Sequence, residues 1–218
     1  MSLSILLQDE LNGFYRSKVM VVLWVGLPLL TVILYLVTPN LGNVPVALFT
    51  SVLVGSLGGT LASAMLAVSI ISERERHVYD LFVIRPVKRR DLLVSKFLAV
   101  YGCVVVAAML ALAVGLLADY LVTGHYRGID FQTLESSVII LVSMLAISSS
   151  AGILIGVVSP SALVAVILVL YGGNQLSAAA ILPVLLKVTN NWFPLLPGLA
   201  VSVVLLWGSV TVFGRRQL

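Results

Sequence analysis

Charged side chains cluster along this chain, and long apolar stretches separate the clusters. No Asp, Glu, Lys or Arg occurs at 19–72, 97–118, 136–186 or 188–214, runs of 54, 22, 51 and 27 residues. None of the runs alternates with period two, so none reads as a strand. A helix needs about 20 mostly apolar residues to cross a bilayer core of about 30 Å. Inside lipid, a helix also satisfies its own backbone donors and acceptors. The two shorter runs hold one span each. The first long run is divided by Thr38-Pro39-Asn40-Leu41-Gly42-Asn43, dense in turn formers. The other is divided by Ser159-Pro160-Ser161, because proline disfavours helix at the residue before it. The pattern predicts an all-α polytopic membrane protein forming a single transmembrane domain over 1–218. Its six spans fall near 19–37, 44–72, 97–118, 137–158, 161–182 and 195–213. Gly172-Gly173-Asn174-Gln175 interrupts the fifth and Pro183 follows it, so that span reads as either a continuous or a re-entrant helix.

Ahead of the first span, Leu3, Leu6, Leu7, Leu11 and Phe14 recur at helical spacing. Gln8, Asp9, Asn12 and Tyr15 fall largely on another face. This predicts an N-terminal amphipathic helix lying in the membrane interface and turning inward near Arg16 and Lys18. The alternative is an extension of span 1 packed on its neighbours.

Composition agrees with the pattern. Hydrophobic residues make up 60% and charged residues 10%, with a mean hydropathy of +1.13; an average soluble domain is about 25% charged. A soluble globule, a disordered chain and a disulfide scaffold are excluded, and Cys103 has no second cysteine to pair with. The net charge of +4 is explained by where the charges lie. Six spans with an inner N-terminus place Arg16, Lys18, Arg74, Arg76, Arg85, Lys88, Arg89, Arg90, Lys96, Arg215 and Arg216 on one side, and only Arg127 and Lys187 on the other. Lys and Arg concentrate in cytoplasmic loops. The expectation is a cell-membrane protein with both termini cytoplasmic, surrounded by lipid, with no nucleic-acid partner.

One inner loop is richer in charge than a connection requires. From Ser72 to Lys96 it carries 7 of the 13 basic residues. In its first half Glu73, Arg74, Glu75 and Arg76 precede Val78, Leu81, Phe82 and Arg85, which share one helical side, and Pro86 ends that half. The second half runs from about Lys88 into span 3. A short helix with an apolar ridge outside the membrane suits either a protein groove or the headgroup layer.

This loop resembles that of ABC-2-type transporter permeases, whose pattern is close to E-[KR]-E-[RK]-G-T-x-[ED]-x-L, then P-[VI]-S-R-x-E-[LI]-[LI], then G-K. The matching residues here are Glu73, Arg74, Glu75 and Arg76, then Asp80, Pro86, Val87, Arg89, Leu92, Leu93 and Lys96. The N-terminal segment with Glu10-Leu11 and Arg16, the six spans and the basic C-terminus are similar too. His77 stands where the family has Gly, and Lys88 and Asp91 where it has Ser and Glu. No Ser-x-x-Glu capping box therefore fixes the start of the helix leading into span 3. The resemblance implies a cytoplasmic coupling helix between spans 2 and 3 that docks on a separate ATPase. Val78, Leu81 and Phe82 would form the apolar contact, with Glu73, Arg74, Glu75, Arg76, Arg85 and Arg89 as its polar surroundings. It further implies the membrane subunit of an ATP-driven exporter, pairing with a second copy or a related permease. ATP and Mg²⁺ would sit on the ATPase and no cofactor on this chain.

No catalytic or metal-ligating residue is expected. There is no Gly-x-x-x-x-Gly-Lys-[Ser/Thr] phosphate loop and no Gly-x-Ser-x-Gly elbow. No charge lies at mid-span, where one would by default mark a function. Gly55, Gly59, Ser63 and Ala67 recur along span 2, as do Ser148, Gly152 and Gly156 along span 4. Such faces admit close helix packing within the subunit, with a dimer seam or a translocation path as the sharper alternative. Ser143, Ser148, Ser149 and Ser150 are either a polar path or serines bonded to their own helix. A second functional class stays open at this point: a non-transporting scaffold or assembly factor whose loop binds another cytoplasmic protein.

Overall fold

A computed structural model of the chain describes residues 3–15, 17–37, 46–76, 89–123, 131–181 and 195–215. Among the described residues all the regular structure is helical. The first helix, α1 (Leu3–Tyr15), is followed by α2 (Lys18–Val37), α3 (Val46–Glu75), α4 (Arg89–Thr123) and α5 (Phe131–Val158). Then comes α6 (Ala162–Leu168), whose ladder passes through a π-helical turn (Val169–Gly173) into α7 (Asn174–Ala178) and a 3₁₀ turn (Ala179–Ile181); α8 (Leu195–Arg215) closes the chain. Six helical segments are long and apolar enough to cross a membrane, counting α6 to Ile181 as one. The protein is an all-α, multi-pass membrane protein.

The fifth span is helical throughout, over 20 residues. The sequence allowed a re-entrant break at Gly172 and Gly173. Instead a π-helical turn takes up the extra residue and keeps the backbone hydrogen-bonded, as lipid demands. Ser161 starts α6 as an N-cap, its Oγ accepting from Val164 N–H at 3.4 Å. The turn segment 38–43 and the aromatic stretch around Trp192 and Phe193 lie outside the described residues.

The spans in α4 and α5, at 35 and 28 residues, are longer than the expected 97–118 and 137–158, whereas α3 at 30 residues is close to the expected 44–72. At about 1.5 Å per residue, the 30 residues of α3 and the 35 of α4 exceed a bilayer core of about 30 Å. Arg89 opens α4, close to the sequence expectation that the second half of the loop runs straight into span 3. Asp91 lies in its first turn, where the helix dipole favours a carboxylate.

The centre of the bundle is α5, with 78% of its span buried against 17% for α8. Its parallel neighbour α3 packs on it in strict register. A Cβ built on Gly55 meets Met144 Sδ at 3.1 Å, and one on Gly59 meets Ser148 Oγ at 2.5 Å. One on Gly152 meets Ser63 Cα at 2.5 Å, and one on Gly156 meets Ala67 Cα at 2.8 Å. Each step of four along one helix answers a step of four along the other. The two small-residue stripes therefore face each other inside the subunit, and neither is free to form a dimer seam.

Most buried hydroxyls bond their own helix: Ser63 to Thr60 O, Ser150 to Ile147 O and Ser209 to Leu206 O. Ser143, Ser148 and Ser149 are buried without a partner among the described residues. Ser148 faces Gly59 and Ser143 faces Gly198. These two sit in tight helix contacts, where their small size matters.

The outward faces are apolar. On α2 the exposed set is Val21, Val22, Val25, Leu29, Ile33 and Leu36, opposite buried Met20, Leu23 and Leu27. Trp207 on α8 is 71% exposed. A soluble protein could not carry such stripes; lipid is the solvent they match.

Candidate functional site at the base of the α3–α4 loop

The charged loop leaves the bundle at the end of α3 and returns at Arg89. The backbone N–H of Arg76 closes the last turn on Ser72 O at 3.1 Å. Val78, Leu81, Phe82 and Arg85, with the coupling helix they were expected to form, lie outside the described residues. The base of the loop is described on both sides.

Lys96 anchors that base. It sits two turns into α4 with 2% of its side chain exposed. Its Nζ lies 2.8 Å from Glu10 Oε1 on α1 and 2.5 Å from Glu73 Oε1 on α3. Ser69 Oγ donates to the same Glu73 oxygen at 3.4 Å. An ammonium this deep is tolerated only when paired and hydrogen-bonded. Two carboxylates supply that pairing. Burial pushes the Glu10 carboxyl above its usual range; Lys96 pulls it back, and Glu73 and Asp9 add to the rise.

The helices around Lys96 hold it there. Leu92, Leu93 and Phe97 flank it on α4, all buried, and the ring of Phe97 stacks on that of Tyr101 with centroids 5.3 Å apart. Leu6, Glu10 and Phe14 follow one another at intervals of four on α1, and Leu6 and Phe14 are each only 9% exposed. The packed face of α1 is therefore Leu6, Glu10 and Phe14, with Leu7 beside it. Leu11 is 36% exposed, off the ridge that the sequence assigned it to. Ser17 separates α1 from α2, its Oγ accepting from Met20 N–H at 3.2 Å, so α1 is a distinct helix.

The expected docking residues divide into two groups. Glu73 points into the bundle to Lys96. Arg74 also turns inward, donating through Nη2 to Ser159 O at 2.8 Å and Pro160 O at 3.0 Å. Glu75 and Arg76 are exposed. Arg89 is the first residue of α4. Sequence reading left Glu10 and Lys96 out of the site. The signal was present: Glu10 stands midway between Leu6 and Phe14 on one helical face.

The model of the ABC-2 family transporter protein matches residues 28–207. The chain belongs to the ABC-2 transporter family. It is thus a permease subunit of an ABC transporter, a membrane component that is not itself catalytic. ABC-2 membership implies partnership with an ABC ATPase subunit. Comparison with curated proteins finds no match. The ABC-2 match includes Glu73, Arg74 and Lys96 and begins within α2, after Glu10.

Proposed function

We propose that this permease subunit belongs to an exporter and that its 72–96 loop couples it to a cytoplasmic ATPase. The observation carrying the proposal is the clamp at the base of that loop. A loop that docks on a moving partner must be anchored so that force reaches the spans. Lys96 ties the start of the loop at Glu73 to its return along α4, and to α1 as well. Glu75 and Arg76 are exposed just where the loop departs and can face a partner. Beyond them Val78, Leu81 and Phe82 supply the apolar ridge, with Arg85 and Arg89 beside it. ATP and Mg²⁺ bind the ATPase, and its closure moves the loop.

The loop side is cytoplasmic in this reading, as are both termini, because 11 of the 13 basic residues fall there. The membrane is the cell membrane. Two permease copies, or this chain and a relative, complete the transporter. Purification from native membranes in mild detergent, followed by identification of the bound chain, tests the proposal. An ATPase with a phosphate loop is expected; its consistent absence from otherwise intact complexes contradicts the coupling.

A further inference from the structure

Helix α5 ends at Val158 with no basic residue in its last turn. The last carbonyls of a helix lack intrahelical partners and carry partial negative charge. Just beyond this end a cation arrives from another helix. Arg74, in the last turn of α3, donates to Ser159 O and Pro160 O. The connection from α5 to α6 is only Ser159, Pro160 and Ser161, so a single guanidinium holds two of its three carbonyls. Ser159 itself is 1% exposed.

The rest of the contact between α3 and α6 is largely apolar, with Ala67 and Ile71 against Ala165 and Val169. Apolar burial is non-directional, whereas hydrogen bonds are directional and fix axial position. The fifth span is also lightly packed, with 29% of it buried, and its ladder loosens into the π turn at Val169–Gly173. A helix gripped at one end and lightly held along its length follows the end that is gripped.

We propose that Arg74 is a positioning residue that delivers displacement of the α3–α4 loop to the fifth span. This rests on the loop being the ATPase-facing segment. The neighbouring residues divide the task. Glu73 ties the end of α3 to α4 and α1, and Arg74 ties it to the α5–α6 turn. Motion at the loop then reaches α6 through the turn rather than through the Ala67–Ala165 contact.

The test uses the full chain with its co-purified ATPase in nanodiscs, in a Cys103→Ser background. Single spin-labelled cysteines replace Val68 on α3 or Leu163 on α6, both exposed and outside the loop. Trapping the ATPase with ATP and vanadate is expected to change both spectra. Arg74→Gln should keep the change at Val68 and abolish most of that at Leu163, because the neutral amide loses the charged hydrogen bonds to the turn. Arg74→Lys should restore part of it. An undiminished change at Leu163 in Arg74→Gln overturns the proposal, as does loss at both sites. If vanadate changes neither site in the Arg74 protein, ATPase coupling fails, and the link is read in the chain alone. The Val68–Leu163 distance distribution should then broaden in Arg74→Gln and narrow again in Arg74→Lys; an unaltered width overturns the proposal.

Discussion

The Lys96 ammonium lies 2.5 Å from the Glu73 carboxylate, joining the residue where the α3–α4 loop departs to the helix along which it returns. Glu10 approaches the same ammonium from α1 at 2.8 Å. Three helices thus meet on one cation.

Lys96→Met should be the most damaging change in this cluster. It removes the ammonium that both carboxylates pair with, and removing one partner of a buried pair costs about 3–5 kcal/mol. Glu10→Gln should cause no such loss, because Lys96 keeps its pair with Glu73. Thermal unfolding in detergent measures both. Equal losses for the two variants contradict this order.

The same cluster predicts a pH dependence. The Glu10 carboxyl is held above the usual glutamate range, chiefly by burial. A group with a raised folded-state pKa contributes stability that is complete below its unfolded pKa and is lost as pH rises through the folded one. The Glu10 contribution therefore fades as pH climbs above about 4.5. Glu10→Gln should match the parent protein at low pH and gain on it as pH rises through that interval. A gap between the two proteins that opens as pH falls would contradict the sign.

The α3–α5 seam predicts a contrast among glycines. Gly152→Leu puts side-chain atoms where Ser63 backbone already sits, with even a Cβ only 2.5 Å from Ser63 Cα. Overpacking costs typically 1–3 kcal/mol and more where backbone must move, so this variant should unfold early or fail to assemble. Gly102→Ala meets nothing within 4 Å and should be neutral or stabilising, by up to about 1 kcal/mol from helix propensity. Unfolding temperatures that rank the two variants the other way would contradict the packing.

Much of this architecture was legible from where charge is missing. Lipid forces backbone hydrogen bonds inward, so long charge-free runs specify helices with little competition. The facing of Gly59 with Ser148 and of Gly152 with Ser63 was legible as two stripes, but their partnership required the parallel packing of α3 and α5. The ends of spans were less visible. Glu73 and Lys96 bound charge-free runs, yet both lie within long helices, because each neutralises the other. Arg74 was read as a docking residue because nothing in a linear pattern shows that the α5–α6 turn comes within its reach. Leu11 matched the amphipathic spacing and still ended exposed, since the neighbouring α4 selected the face containing Glu10.

Orientation gives a further prediction. In a Cys103→Ser background, single cysteines at Ser2 and Gln217 should resist an impermeant maleimide in intact cells and react after permeabilisation. Labelling of either from outside contradicts the basic-residue argument.

The central claim is that the apolar ridge of the loop docks on an ATPase, and replacement of Leu81 and Phe82 by Asp tests it most directly. The double variant should retain expression and melting behaviour, because these residues belong to the loop and not to the Lys96 clamp. Recovery of the ATPase with the purified permease should fall to background. Unchanged recovery of the ATPase with a normally folded double variant would contradict the account.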